Sequence, residues 1–190
     1  MDTSSVISIH DLSGSWVMQG IAWITRKAIA AATTTLKITQ GSDTDGSTSA
    51  RTEWMRLEPA LTGGLKGIPE NRPLTWAEFE HNDTLFGPVI IRSHYIAGVK
   101  ISDRRFRPVV ELQTKAAGSN MAVMNLEVEA VEETVEKAFI HDFVRSVNSG
   151  WAAEQIWAVE IIGEEQFLTR RIVVVKGTAT ELARVFYRRV

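Results

Sequence analysis

The first candidate for a functional role is a glutamine in a segment of alternating apolar and polar residues, 151–162. Gln155 shares a strand face with Trp151 and Trp157, and the opposite face carries Glu154 and Glu160. Side chains alternate across a strand, and glutamates normally face water, so the pattern predicts that Gln155 points inward between the two tryptophans. A buried amide without a partner costs about 1–3 kcal/mol. Two interpretations stay open: Gln155 bonds a neighbouring strand or a buried water, or it bonds a ligand.

A histidine on the preceding segment is the second candidate. His141 shares a strand face with Phe139 and Phe143, whereas Asp142 lies on the opposite face. The aromatic neighbours predict that His141 faces the interior. There it could donate or accept a hydrogen bond, or act as a general acid–base near neutral pH. A packed core histidine is the simpler interpretation. His141 and Gln155 are therefore the two catalytic candidates.

Aromatic side chains on several segments are candidates to line a ligand site. Trp54 shares a strand face with Thr52 and Arg56, opposite the face that carries Glu53. Tyr95 shares a face with Val89 and Ile91. Both patterns predict inward rings. The candidate ligand-binding residues from these patterns are Trp54, Tyr95, Phe139, Trp151 and Trp157.

Metal and nucleotide chemistry have no sequence support. The chain has four histidines and no cysteine, and the histidines never pair at metal-ligand spacing. The glycines and lysine of TGGLKG at residues 62–67 lack the phosphate-loop spacing. We expect neither a metal site nor a cofactor.

Composition narrows the class of protein further. The 190 residues carry a formal charge of -2, which provides no chain-wide basic field for nucleic acid. The absence of cysteine favours a reducing, cytoplasmic location. Residues 1–16 lack a signal-peptide pattern. No apolar run approaches the ~20 residues needed to span a bilayer.

The elements that must position these residues are mostly strands. Apolar spacings of three and four predict a helix over residues 19–32. Alternating segments separated by turn residues predict ten strands, at residues 33–40, 49–58, 75–82, 86–97, 109–115, 121–131, 138–147, 151–162, 167–176 and 182–190. A meander of this kind usually closes to avoid exposed edges. We expect an all-β, single-domain antiparallel barrel over residues 1–190, with the helix as a lid.

Both ends of the chain resemble the intracellular lipid-binding proteins that carry fatty acids and retinoids. Residues 20–40 resemble that family's helical lid and following strand, and residues 162–190 resemble its last turns and final strand. Arg184 matches the arginine that grips a ligand carboxylate there, with Phe186 in place of the partner tyrosine. The resemblance implies that Arg184 binds ligand inside the barrel. The opposite face of the strand is apolar, with Ala183, Val185 and Tyr187, and this pattern predicts instead that Arg184 is a solvated charge. Both interpretations stay open.

A resemblance over more of the chain is to fungal lipocalin-like proteins of secondary-metabolite gene clusters. The matching stretches are LSGSW at residues 12–16, WITRKA at 23–28, TGGLKG at 62–67, GWAAEQIW at 150–157 and RRIVV at 170–174. Some members of that group are hetero-Diels–Alderases that join a tropolone-derived quinone methide to a humulene-type terpene. The resemblance implies a cofactor-free pericyclase acting on hydrophobic terpenoid, tropolone or other polyketide partners.

Pattern alone is equally compatible with a different function. A barrel of this size has room for one small ligand, so a non-catalytic carrier of a lipid, fatty acid or terpenoid is the alternative. The pericyclase would work mainly by orienting its reactants, which can lower the activation barrier by as much as ~7–11 kcal/mol.

Overall fold

A computed structural model describes residues 7–22, 33–102, 105–114, 128–129 and 136–190 of the chain. The described part is almost entirely strands, with a single 3-10 turn at Thr62–Gly64. The strands are β1 (Gly14–Ala22), β2 (Thr33–Thr44), β3 (Arg51–Leu61), β4 (Glu70–Pro73), β5 (Phe79–Asp83), β6 (Gly87–Ile96), β7 (Gly98–Ser102), β8 (Arg105–Pro108), β9 (Val128–Glu129), β10 (Phe139–Ser146), β11 (Trp151–Ile162), β12 (Glu165–Lys176) and β13 (Ala179–Arg189). No helix in these residues is long and apolar enough to cross a membrane.

Ten strands form one antiparallel sheet that is nearly closed into a barrel. Its order is β4-β3-β2-β1-β13-β12-β11-β10-β6-β5. The residues after β4 bring its two ends together, because Thr75 bridges to His94 on β6 and the Trp76 amide donates to the Ser93 carbonyl at 2.9 Å. The predicted all-β antiparallel barrel is therefore confirmed.

One end of the barrel is filled by the segment at residues 7–12. Ile9 and Leu12 are fully buried in the main core beside Trp16. The side chain of Gln40 fixes the segment: its Oε1 accepts from the Leu12 amide at 2.5 Å, and its Nε2 donates to the Ile9 carbonyl at 3.1 Å. We call this the closed end, and the opposite end the open end.

A second, three-stranded sheet in the order β7-β8-β9 lies outside the barrel wall. Phe106 of β8 belongs to a hydrophobic cluster with Phe139, Ile156 and Val173, which project from the outer faces of β10, β11 and β12. Part of the barrel exterior is therefore a second core rather than a wet surface.

Several predicted elements need correction. Residues 19–22 belong to β1, so no helix begins at residue 19; the remainder of the predicted lid, residues 23–32, lies outside the described residues. β1, β4, β7 and β8 were not predicted. Residues 109–114 form no strand, and of the segment predicted at residues 121–131 the structure describes only β9.

Candidate functional site

The barrel interior contains a cavity of 310 Å³ toward the open end. Its wall is mostly apolar, and apolar side chains from seven strands contribute to it, among them Leu36, Leu57, Leu61, Val89, Ile91, Val144, Trp151, Ala153, Ile172, Val174, Ala183 and Val185. The polar lining residues are Glu70, Arg72, His81, Asp83, Thr84, Gln155, Arg170 and Glu181. Small-molecule sites have this character, apolar walls with a small number of placed polar groups, and volumes of roughly 300–1,000 Å³.

Arg170 and Gln155 lie together at the inner end of the cavity. Trp157 and Arg170 are cross-strand partners on β11 and β12, and the guanidinium lies 4.3 Å from the centre of the indole ring. Gln155 Oε1 accepts from Arg170 Nε at 3.0 Å and from a second nitrogen of the same guanidinium. Among the described residues, no carboxylate lies within 4.0 Å of Arg170. The site therefore offers a positive charge that a neutral amide and an aromatic face hold in place.

A second guanidinium beside it is fully neutralised. Arg72, only 3% exposed, contacts Glu70 at 2.6 Å and pairs with Asp142. Asp142 also accepts from Ser93 Oγ at 2.7 Å and from Trp157 Nε1 at 2.6 Å. Burial opposes the charge of Arg72, but the two carboxylates outweigh burial and raise its pKa above the ordinary value. Arg72 thus organises the barrel interior, whereas Arg170 is available to a ligand.

Three residues near the mouth offer the closest approach to a metal site. Ligand atoms of Glu70, His81 and Asp83 lie within 4.8 Å of one another, the one such group in the described residues. Arg72 already contacts Glu70, and Asp83 accepts two backbone N–H groups of the turn that follows it, at 2.7 and 2.8 Å. One oxygen of each carboxylate is therefore engaged already, and because no second observation points to a cation, we assign none to the group.

The structure places two of the tryptophans and the glutamine as the alternation predicted. Gln155 and Trp151 line the cavity, and Trp157 lies fully buried beneath Arg170. Tyr95 also faces inward, but toward the closed end, where its hydroxyl accepts from Gln40 Nε2 at 3.2 Å. It is not part of the cavity.

Four other candidates lie on the outside of the barrel wall. Trp54 packs over its cross-strand partner Gly41 while Met55 fills the core, so the inward prediction for Trp54 is wrong. Phe139 is buried beneath the second sheet. Arg184 pairs with Glu160 on the outer face, so its side chain does not point into the barrel as the resemblance implied.

His141 is the fourth of these, and its placement corrects the largest error in the predicted site. Its ring is 1% exposed but lies outside the wall, where Nε2 is 2.9 Å from Glu154 Oε1. Glu154 is itself fully buried, and the backbone amides of Gln113 and Thr114 donate to its carboxylate at 2.8 Å each. The face that the glutamates marked as wet is covered.

Sequence reasoning missed Arg170, Arg72 and Asp142. For Arg170 a signal existed, because it shares a strand face with Ile172 and Val174, and such an apolar face predicts an interior position. Arg72 lies between Pro69 and Pro73, outside every segment predicted as a strand, and no pattern marks it.

Comparison of the chain with protein-family models, with curated proteins and with solved structures finds no match in any of the three.

Proposed function

We propose that the chain binds hydrophobic reactants in the barrel cavity and orients them for a cofactor-free cycloaddition. The observation that carries the proposal is the cavity itself: an apolar 310 Å³ space with the Arg170 guanidinium at its inner end, free of any carboxylate partner among the described residues. The resemblance to fungal lipocalin-like proteins supplies the reaction class.

The chemistry assigned to Arg170 is activation of a carbonyl oxygen. A guanidinium donates strong hydrogen bonds to an oxygen that gains negative charge. In a hetero-Diels–Alder reaction the electron-poor partner is a conjugated carbonyl or quinone methide, and donation to its oxygen makes it more reactive. Because the donor is already oriented by Gln155 and Trp157, little reorganisation accompanies the reaction. The apolar wall would hold the second, hydrocarbon reactant against the first.

A non-catalytic carrier is the second candidate, and the cavity volume favours it. At 310 Å³ the cavity is at the lower end of the usual range, about 300–1,000 Å³, which suits one ligand better than two. In that case Arg170 would meet the carboxylate or carbonyl of a single amphipathic molecule.

One experiment separates these functions. Binding of a hydrophobic carbonyl compound is followed by quenching of tryptophan fluorescence, since Trp151 and Trp157 adjoin the cavity. The rate and stereochemistry of cycloaddition are then compared with and without protein. Binding with acceleration supports the pericyclase, binding without acceleration supports the carrier, and absence of binding contradicts both.

Arg170→Met has a matched control in Arg184→Met. Both remove a guanidinium from the β12–β13 region, but Arg170 faces the cavity and Arg184 faces Glu160 outside the wall. We expect Arg170→Met to weaken binding of a carbonyl ligand by about tenfold, corresponding to about 1.4 kcal/mol. Arg184→Met should leave that affinity unchanged. Equal effects of the two variants would contradict the assigned role of Arg170.

A further inference from the structure

A chain of three titratable side chains runs along the outer face of the barrel wall, away from the cavity. Glu154 contacts His141 Nε2 at 2.9 Å, and His141 Nδ1 lies 3.2 Å from His94 Nε2. Glu154 and His141 are almost completely buried, whereas His94 is partly exposed. The chain of hydrogen bonds therefore connects a buried carboxylate to the surface.

His94 lines an open cleft of 410 Å³ that is separate from the barrel cavity. The cleft is mostly polar, and its lining includes Thr75, Lys137, Glu53 and Glu136. Within the described part of the chain, His94 Nδ1 makes no hydrogen bond. His94 Nδ1 can thus bind solvent or a small polar ligand in the cleft.

Trp76 covers the contact between the two imidazoles. Its ring centre lies 4.1 Å from that of His94 and 4.8 Å from that of His141. Trp76 has φ 65°, a left-handed conformation that a bulky side chain rarely adopts, and its amide is held by the Ser93 carbonyl. Strain of this kind persists only where the surroundings enforce it, and it clusters at functional sites.

We propose that Glu154, His141 and His94 form a proton relay that presents a general acid–base group to the cleft. In the base form, His141 donates its Nε2–H to Glu154, and His94 donates its Nε2–H to His141 Nδ1. His94 Nδ1 then carries a free lone pair. When a ligand or hydronium gives a proton to that nitrogen, the Nε2–H of His94 passes to His141.

The positive charge then resides on His141, next to the Glu154 carboxylate, while His94 stays neutral with its remaining proton on Nδ1. The relay therefore changes the group facing the cleft from an acceptor to a donor without placing charge there. A small polar molecule with a hydroxyl or carbonyl group that exchanges a proton during reaction is the class of ligand that such a site serves.

The electrostatic surroundings are consistent with this division of charge. Burial, followed by the positive charge of His141, lowers the pKa of His94 to about 4, although Asp142 opposes the shift. Burial would raise the pKa of Glu154, but hydrogen bonds from His141, Thr114 and the Gln113 amide lower it, so the carboxylate stays charged. The other charged groups near the histidines are Arg92 beyond the Trp76 ring and the cleft residues Lys137, Glu53 and Glu136.

The test is a titration of the ¹⁵N-labelled full chain, following the imidazole nitrogens by NMR over about pH 5 to 9. The four histidines are assigned with single His→Gln variants. We expect His94 to change from an Nε2–H to an Nδ1–H tautomer as the pH falls, while His141 becomes doubly protonated over the same interval. A His94 that becomes doubly protonated itself, or whose Nδ1 never changes, would overturn the relay.

Glu154→Gln and Glu160→Gln form a matched pair of variants. Both replace a buried carboxylate on the outer face of β11, but Glu160 contacts Thr169, Arg171 and Arg184 rather than a histidine. Because an opposite charge favours the charged imidazole, loss of Glu154 should move the transition at least about one unit to lower pH. Glu160→Gln should leave it in place. An unmoved transition in a folded Glu154→Gln variant also overturns the proposal, and the wild-type titration decides the matter if that variant does not fold.

Discussion

The two faces of the β10–β11 pair are both buried, yet they hold their charges in different ways. On the inner face, Asp142 is paired with Arg72, whose charge does not depend on pH near neutrality. On the outer face, Glu154 is paired with His141, an imidazole that can be either neutral or positively charged. One strand pair thus separates a permanently charged network inside the barrel from a titratable one outside it. The difference implies that a change of pH acts on the Glu154–His141 pair while the Arg72 guanidinium inside the barrel keeps its charge.

The largest expected effect comes from breaking the inner network. Arg72→Met leaves Glu70 and Asp142 as buried carboxylates without their cation, so we expect a loss of about 3–5 kcal/mol in the free energy of unfolding. Urea denaturation measures the loss. The same substitution at Arg170, which has no carboxylate partner among the described residues, should cost less than about 1 kcal/mol. Equal losses in both variants would mean that pairing with carboxylates does not distinguish the two arginines.

An intermediate effect separates the two catalytic candidates. Gln155→Ala removes the acceptor that orients Arg170 in the cavity, so the rate of cycloaddition should fall about tenfold, or about 1.4 kcal/mol in barrier. His141→Ala alters only the outer face, and the catalysed rate should stay within about twofold of wild type. Single-turnover rates of both folded variants provide the comparison. A larger loss in His141→Ala than in Gln155→Ala would reverse the assignment of the two faces.

The smallest expected effect is a dependence of stability on pH that arises from the outer face. The pKa of His94 falls from 6.5 to about 4 on folding. Between these values the unfolded chain binds a proton at His94 that the folded chain does not, so the free energy of unfolding should decrease as the pH is lowered through this interval. Thermal unfolding between about pH 7 and 4 measures the slope, and His94→Gln should flatten it. A slope that survives this substitution would have to come from other groups.

The error at His141 came from the register of the hairpin. Residues directly opposite each other on antiparallel strands share a face, and the predicted strand ends at residues 147 and 151 leave a three-residue turn that puts His141 opposite Trp157, on the inward face. In the structure the turn between β10 and β11 has four residues, so Asp142 lies opposite Gln155 and His141 opposite Ile156, on the outer face. The assignment failed because aromatic neighbours were taken as a sign of the barrel interior, although Phe139 belongs to the outer core.

Alternation along the chain determined the antiparallel strands and the faces that their residues share, because the two-residue period of a strand is a local property of the backbone. It therefore predicted the all-β barrel and the inward directions of Gln155 and Trp157. Only the tertiary structure decided which outer faces are covered. The second sheet and the segment around Thr114 bury Glu154 by contacts about 40 residues distant in sequence, and no local period encodes such contacts. The same reason explains Arg72, which acquires its role only when barrel closure brings it to Asp142.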